Sequence, residues 1–249
     1  MKKILKIFGV LVFWLITWQL VYFLVNQELL VASPSEVFFR LLELFGTTKF
    51  WTSTFFSIIR IMQGFVLAIL FGVIFAWLTT QYKLFSIIFS PVLTVIKTTP
   101  VASFVVLALV FIKSFYVPSF ISFLMVVPII WANTKEGIKK TDVKLLEMAK
   151  VFNFNKFTVL RKIYIPSIMP HFMSAFTVGL GFAWKAGVAA EVIANTQLSI
   201  GSEIYISKIY MDTVSLFSWT IVVIIISLLL EKVIVKVTKK LVLKYNLER

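Results

Sequence analysis

The chain has 249 residues, 60% of them hydrophobic and 14% charged, with a mean hydropathy of +0.97 and a formal net charge of +14. A soluble domain of this length needs far more charge to cover its surface, and apolar runs of about 20 residues match the bilayer core, so composition excludes a soluble globular fold. Segments of about 10 alternating residues, the mark of a transmembrane barrel, are missing from the sequence, and zero cysteines with one histidine, His171, exclude disulfides, thiolate metal sites and clustered-histidine sites. The fold class is all-α, a polytopic membrane protein with about six transmembrane helices. The basic balance does not indicate nucleic-acid binding, because the lysines and arginines sit at membrane edges rather than on a soluble face.

The first helix spans about Ile4 to Val25 behind the basic head Lys2, Lys3 and Lys6. Its apolar run is too long for a signal-peptide core, so it reads as a retained helix. Between residues 34 and 47 an amphipathic helix follows, capped by Ser33 or Ser35, with Val37, Phe38, Leu41, Leu42 and Phe45 as its apolar stripe. The second spanning helix, about Trp51 to Thr80, repeats Gly64, Ala68, Gly72 and Ala76 every four residues, a smooth face for close packing. Arg60 within it is either a functional intramembrane charge or a snorkelling one.

Leu84 to Ile112 is longer than one crossing needs and is interrupted by Pro91 and Pro100. Broken helix at membrane depth is tolerated where it lines a cavity or is buried in protein, so the stretch KTTPVAS is a pore candidate; a kinked structural helix is the plainer reading. A fourth helix, about Val117 to Asn133, leads to a long polar loop at about 134–166. The fifth spans about Pro166 to Ala190, with Gly179, Gly181 and Gly187 offering close approach, and Lys185 and Glu191 near its end are costly unless paired or wet. Residues 192–217 are too polar to span and are placed outside, with a re-entrant stretch allowed. The sixth helix, about Leu216 to Val235, runs into a basic tail at about 236–249. Eighteen of the 25 basic residues lie in the head, the first turn, the polar loop and the stretch from Lys232 onward, against four in the opposite segments, which puts both termini in the cytoplasm.

Inside the polar loop the residues from Thr141 to Asn153 read as a short helix, capped by Asp142 or Thr141 and stopped by Asn153, which tolerates the left-handed conformation. A second short helix is expected over about Lys156 to Ile163, ending before Pro166. Phe152, Phe154 and Phe157 form an aromatic knob flanked by charge, suited to docking because a few buried anchors dominate most interfaces.

This loop resembles the cytoplasmic loop of ABC importer permeases, whose pattern is Glu-Ala-Ala, three residues, Gly, nine residues, Ile, one residue, Leu-Pro. Here Glu147, Met148 and Ala149 open the pattern, Asn153 stands at the glycine, Ile163 at the isoleucine and Ile165-Pro166 at the final pair, without a gap. The departures are Met148, Asn153 and Ile165. KTTPVASFVVLALVFI, VVPIIWANTKEGI and FAWKAGVAAEVIANTQLSIGSEIY are similar to the nitrate, taurine and aliphatic-sulfonate branch, so the resemblance covers nearly the whole chain. It implies a type I importer permease, one transmembrane domain over residues 1–249, in a bacterial cytoplasmic membrane. It also implies a loop (Glu147, Met148, Ala149, Phe152, Asn153, Phe154, Ile163, Pro166) docking into a separate ATPase. Further implied are a homodimer, an extracellular or periplasmic substrate-binding protein, contact with membrane lipid, and a translocation path carried over to Lys97, Pro100, Ser103, Asn133, Trp184, Lys185 and Glu191.

The chain has no phosphate loop of the GxxxxGK[ST] type, so no ATP or Mg site is expected in it; both belong to the partner. A self-sufficient secondary transporter would need intramembrane acids for ion coupling, and the spans hold few. A membrane enzyme would need a nucleophile–base pair, a carboxylate dyad or a metal cluster, and none is apparent in the sequence. The expected cargo is a small polar or anionic organic solute of the sulfonate, taurine or nitrate type, favoured by Lys97, Lys185 and Arg60. A neutral pyrimidine-like vitamin precursor is the alternative, favoured by Phe and Trp.

Overall fold

The computed structural model describes the backbone of residues 2–247 and the side chains of residues 8–236. The side chains of the head lysines and of the tail beyond Lys236 lie outside the described residues. The chain folds into helices alone among the described residues: α1 (Lys2–Val25), α2 (Pro34–Phe45), α3 (Thr48–Gln81), α4 (Lys83–Thr98), α5 (Val101–Phe111), α6 (Val117–Lys139), α7 (Val143–Val151), α8 (Lys156–Val159), α9 (Ile165–Ala194), α10 (Ile200–Ile209) and α11 (Thr213–Leu247). Five stretches are long and apolar enough to cross a membrane, and the bent pair α4 and α5 makes a sixth.

The densest packing joins α3, α6 and α9. The small-residue stripe of α3 lies against α6 as its spacing predicts: a β-carbon added at Gly64 would fall 2.1 Å from the Ser119 carbonyl oxygen, and one at Gly72 would fall 2.7 Å from Ile130 Cβ. With no hydrophobic drive between helices in lipid, such close approach supplies the dispersion contacts that hold them. Phe65, Ile130, Ala183 and Trp184 fill the centre, and Trp219 and Val222 of α11 close it from one side. α5 packs on α6 and α9 through Val105, Ala108, Ile121, Ala186 and Ala190.

Two proline expectations resolve differently. At Pro100 the helix breaks: Thr99 and Pro100 both take extended backbone (ψ 134° and 136°), and α4 and α5 meet at 111°. The residue before a proline is driven out of the α region, and Thr99 obeys. Pro166 does not end a helix. α8 passes through a wide π turn at Leu160–Tyr164, where the Ile165 N–H donates to the Leu160 carbonyl, and continues as α9. A regular turn would press the proline ring on the carbonyl four residues back; the wider turn opens that spacing. The separate second helix expected before Pro166 is therefore the first turn of a long one.

α2 also corrects its expected stripe. Ser33 caps it in a full capping box with Glu36, but the face packed inward is Val37, Leu41 and Leu44, while Phe38, Leu42 and Phe45 are exposed. Arg40 holds α2 to α11 by donating from Nε to Ser215 Oγ at 3.0 Å.

Candidate functional site

The loop between α6 and α9 is a built structure rather than a flexible linker. Asp142 caps α7, its carboxylate accepting from the Lys144 N–H at 2.8 Å. Asn153 closes α7 in the left-handed region (φ 51°), with the Phe154 N–H on the Ala149 carbonyl at 2.9 Å and the Asn153 N–H on the Lys150 carbonyl at 3.1 Å. That paired closure is a Schellman motif, and Asn serves where glycine is most common. Asn155 then caps α8 through the Thr158 N–H at 2.7 Å.

The loop residues divide into anchors and tips. Ala149 and Ile163 are buried and seat the loop on the bundle, whereas Val151, Phe152 and Phe157 are about two-thirds or more exposed (78%, 67% and 69%). Phe152 and Phe154 lie 6.2 Å apart between ring centres. Glu147 and Met148 are exposed on α7, and Pro166 is half-buried in the helix that follows. Three apolar tips are held outward by capped turns, with Lys144, Lys150 and Lys156 exposed on the same two short helices.

The expected path residues occupy three places. Lys97, Pro100 and Ser103 are exposed at the bend between α4 and α5. Asn133 is half-buried near the far end of α6, where its amide donates to the Ile129 carbonyl of its own helix at 2.9 Å. Lys185 is exposed on α9. Trp184 and Glu191 do not sit on an open wall within this chain. Trp184 is 1% exposed and donates from Nε1 to the Val223 carbonyl at 3.1 Å, and Glu191 is fully buried. Among the described residues, no hydrogen bond or ion pair joins these groups to one another.

Glu191 belongs instead to a polar cluster with Arg60, Ser57 and the Gly201 N–H, a grouping that the sequence does not show. Its Oε2 accepts from Ser57 Oγ at 2.8 Å and from the Gly201 N–H at 3.2 Å, at the start of α10. Its Oε1 lies 3.5 Å from Arg60 Nη1. Arg60 in turn donates from Nη2 to the carbonyls of Gln197 and Leu198 at 2.9 and 3.1 Å, and its guanidinium sits 4.5 Å from the Phe115 ring centre. The cluster fastens the turn between α9 and α10 to α3. Arg60 stood out as an intramembrane charge, but Ser57 is an ordinary helix residue 134 positions from Glu191, and no local pattern marks it.

The chain combines five helices long and apolar enough to cross a membrane, a bent pair that makes up to one more, and a stiff helical loop between α6 and α9. The sequence profile of the binding-protein-dependent transport system inner membrane component matches residues 68–241, and the chain belongs to that family. A probable ABC transporter permease of Brucella melitensis is 24% identical over 209 residues, covering 84% of this chain and 85% of its own. The bicarbonate transport system permease protein CmpB of Synechococcus elongatus is 26% identical over 180 residues, 67% of this chain and 64% of that one. Among solved structures, an amino acid ABC transporter superposes with a TM-score of 0.61 at 17% identity (79% of this chain, 94% of that one). The inward-facing MetNI methionine ABC transporter gives 0.55 at 15% identity (78% and 93%). The protein is thus a multi-pass permease subunit of an ABC importer, a transport component and not an enzyme.

Proposed function

We propose that this permease forms, as a homodimer in a bacterial cytoplasmic membrane, the path for a small polar or anionic solute of the sulfonate, taurine or nitrate type. A substrate-binding protein delivers the solute, and a separate ATPase that holds ATP and Mg drives the cycle. Both termini and the loop at 134–166 face the cytoplasm in this reading, and residues 1–249 act as one permease domain. A bicarbonate permease among the relatives supports a small anion, as do Lys97 and Lys185, exposed on helices that must be wet or covered by protein.

The observation that carries the reading is the knob. Capped at Asp142 and Asn155 and closed at Asn153, it holds Phe152 and Phe157 outward with little freedom to lose on docking. Closure of the ATPase around nucleotide then moves a rigid lever: the knob continues through α8 into α9 without a break. A tagged copy recovered in detergent from its native cells is expected to bring an ATPase subunit with it, identified by mass spectrometry, and Glu147→Arg is expected to release that subunit. Recovery of the permease alone, with solute movement that needs no ATP, would remove the importer reading.

A further inference from the structure

The face of α9 that this chain leaves open runs along Ser174, Val178, Gly181, Lys185 and Ala189, and one side of it borders a cleft of about 340 Å³ shared with α11. Lys185 and Glu231 both line this cleft, together with Thr177, Gly181 and Ser227. Among the described residues neither charge forms an ion pair with any other group, and neither side chain makes a hydrogen bond. α9 and α11 run antiparallel, since Trp184 meets Val223 while Thr177 faces the cleft with Ile234. Helical side chains lean toward the N-terminus of their own helix, so in this antiparallel pair Lys185 and Glu231 lean toward each other along the cleft.

The floor of the cleft is equally specific. Every other glycine of α9 is pressed by a neighbour: a β-carbon at Gly179 would lie 3.1 Å from Val126, and one at Gly187 would lie 2.5 Å from Ile61. At Gly181 nothing lies within 4 Å. Packing within the chain therefore does not require glycine there, yet a larger residue would fill part of the cleft that Lys185 and Glu231 line. A cation and an anion that line one cleft of a membrane-spanning bundle without pairing are costly unless water or a solute bridges them.

We propose that this cleft is a solute station on the translocation path and that it selects a small zwitterion: an acidic group that meets Lys185 and an ammonium that meets Glu231, separated by a few bonds. The inference rests on the transport reading above and narrows its solute class. Purified permease in lipid nanodiscs, probed by saturation-transfer NMR with β-alanine, propionate and n-propylamine, provides the test, because that method detects the weak binding a transit site needs. β-Alanine is expected to bind at least about tenfold more tightly than either single-charge probe, a difference of 1.4 kcal/mol. Glu231→Gln removes that preference, leaving propionate equal to β-alanine, and Lys185→Met leaves n-propylamine equal to it. Gly181→Leu, which the fold has room for, abolishes binding while the thermal unfolding midpoint stays within a few degrees.

Propionate binding as tightly as β-alanine to the unaltered protein would make the cleft an anion station and overturn the proposal. So would the same signal from empty nanodiscs, or binding unaffected by Gly181→Leu. Co-purification of the ATPase is read separately: if it persists while the probes fail, the importer stands and only the station falls.

Discussion

Glu191 sits in a site that a lone carboxylate could not occupy. Ser57 and the Gly201 N–H satisfy one oxygen, and Arg60 balances the charge at 3.5 Å, yet Glu191 Oε1 and Arg60 Nε and Nη1 have no hydrogen-bond partner. Desolvating two ions costs several kcal/mol each, and an imperfect pair returns only part of that. The cluster therefore holds position more than it adds stability, and the two deletions are unequal in an instructive way. Arg60→Met leaves the carboxylate buried and uncompensated and is expected to cost about 3–5 kcal/mol. The double variant Arg60→Met with Glu191→Met removes both ions and is expected to be more stable than the single one. Thermal unfolding in detergent, followed by far-ultraviolet circular dichroism, measures both; a double variant less stable than Arg60→Met would show that Glu191 stabilises the fold through Ser57 and Gly201 even without Arg60. The same measurement applies to Gly201→Ala, whose added carbon would fall 2.3 Å from Glu191 Cβ and push α10 off the carboxylate it caps.

The knob shows how a helix end can be fixed by a single residue. Asn153 holds φ 51° and lets two N–H groups return to the Ala149 and Lys150 carbonyls. A β-branched residue resists that conformation by roughly 1–2 kcal/mol, whereas glycine accepts it freely. Asn153→Val is expected to speed amide exchange at Asn153 and Phe154 by about tenfold, and Asn153→Gly to leave it within about twofold, by mass-spectrometric hydrogen exchange. Equal protection in both variants would mean that tertiary contacts, not the cap, hold the turn. This element was legible in the sequence because its determinants are local: Asp142 and Asn153 act on neighbours two to five residues away. So was the packing stripe of α3, which a period of four exposes. The π turn before Pro166 was not legible, since proline reads equally as a stop and as an early helix residue until the preceding turn is seen to widen. Nor was the inward face of α2: seven apolar side chains from Val37 to Phe45 on a 12-residue helix leave the facing stripe to be chosen by α11 and α3.

Across the whole chain, exposed apolar surface says little, because lipid and protein cover it equally well; exposed polar groups discriminate. α1 is exposed on nearly all sides with apolar residues such as Phe8, Phe13 and Trp14, a surface that lipid satisfies. The bend between α4 and α5 exposes Lys97, Thr98 and Ser103 together with Val106 and Val110, and the open face of α9 adds Lys185. Lipid does not satisfy an ammonium or the unpaired backbone of a broken helix, so these surfaces need water enclosed by protein. A second copy facing them across a two-fold axis would enclose it, and in such an interface a residue near the axis meets its own counterpart. The chain contains no cysteine, so engineered thiols report without background. Ser103→Cys in native membranes is expected to give a disulfide-linked species of twice the chain mass under mild oxidation, while Phe13→Cys, on the lipid-satisfied helix, remains monomeric. Cross-linking at Phe13 with none at Ser103 would place the axis elsewhere and make the bend of α4 and α5 a structure completed by something other than a second copy.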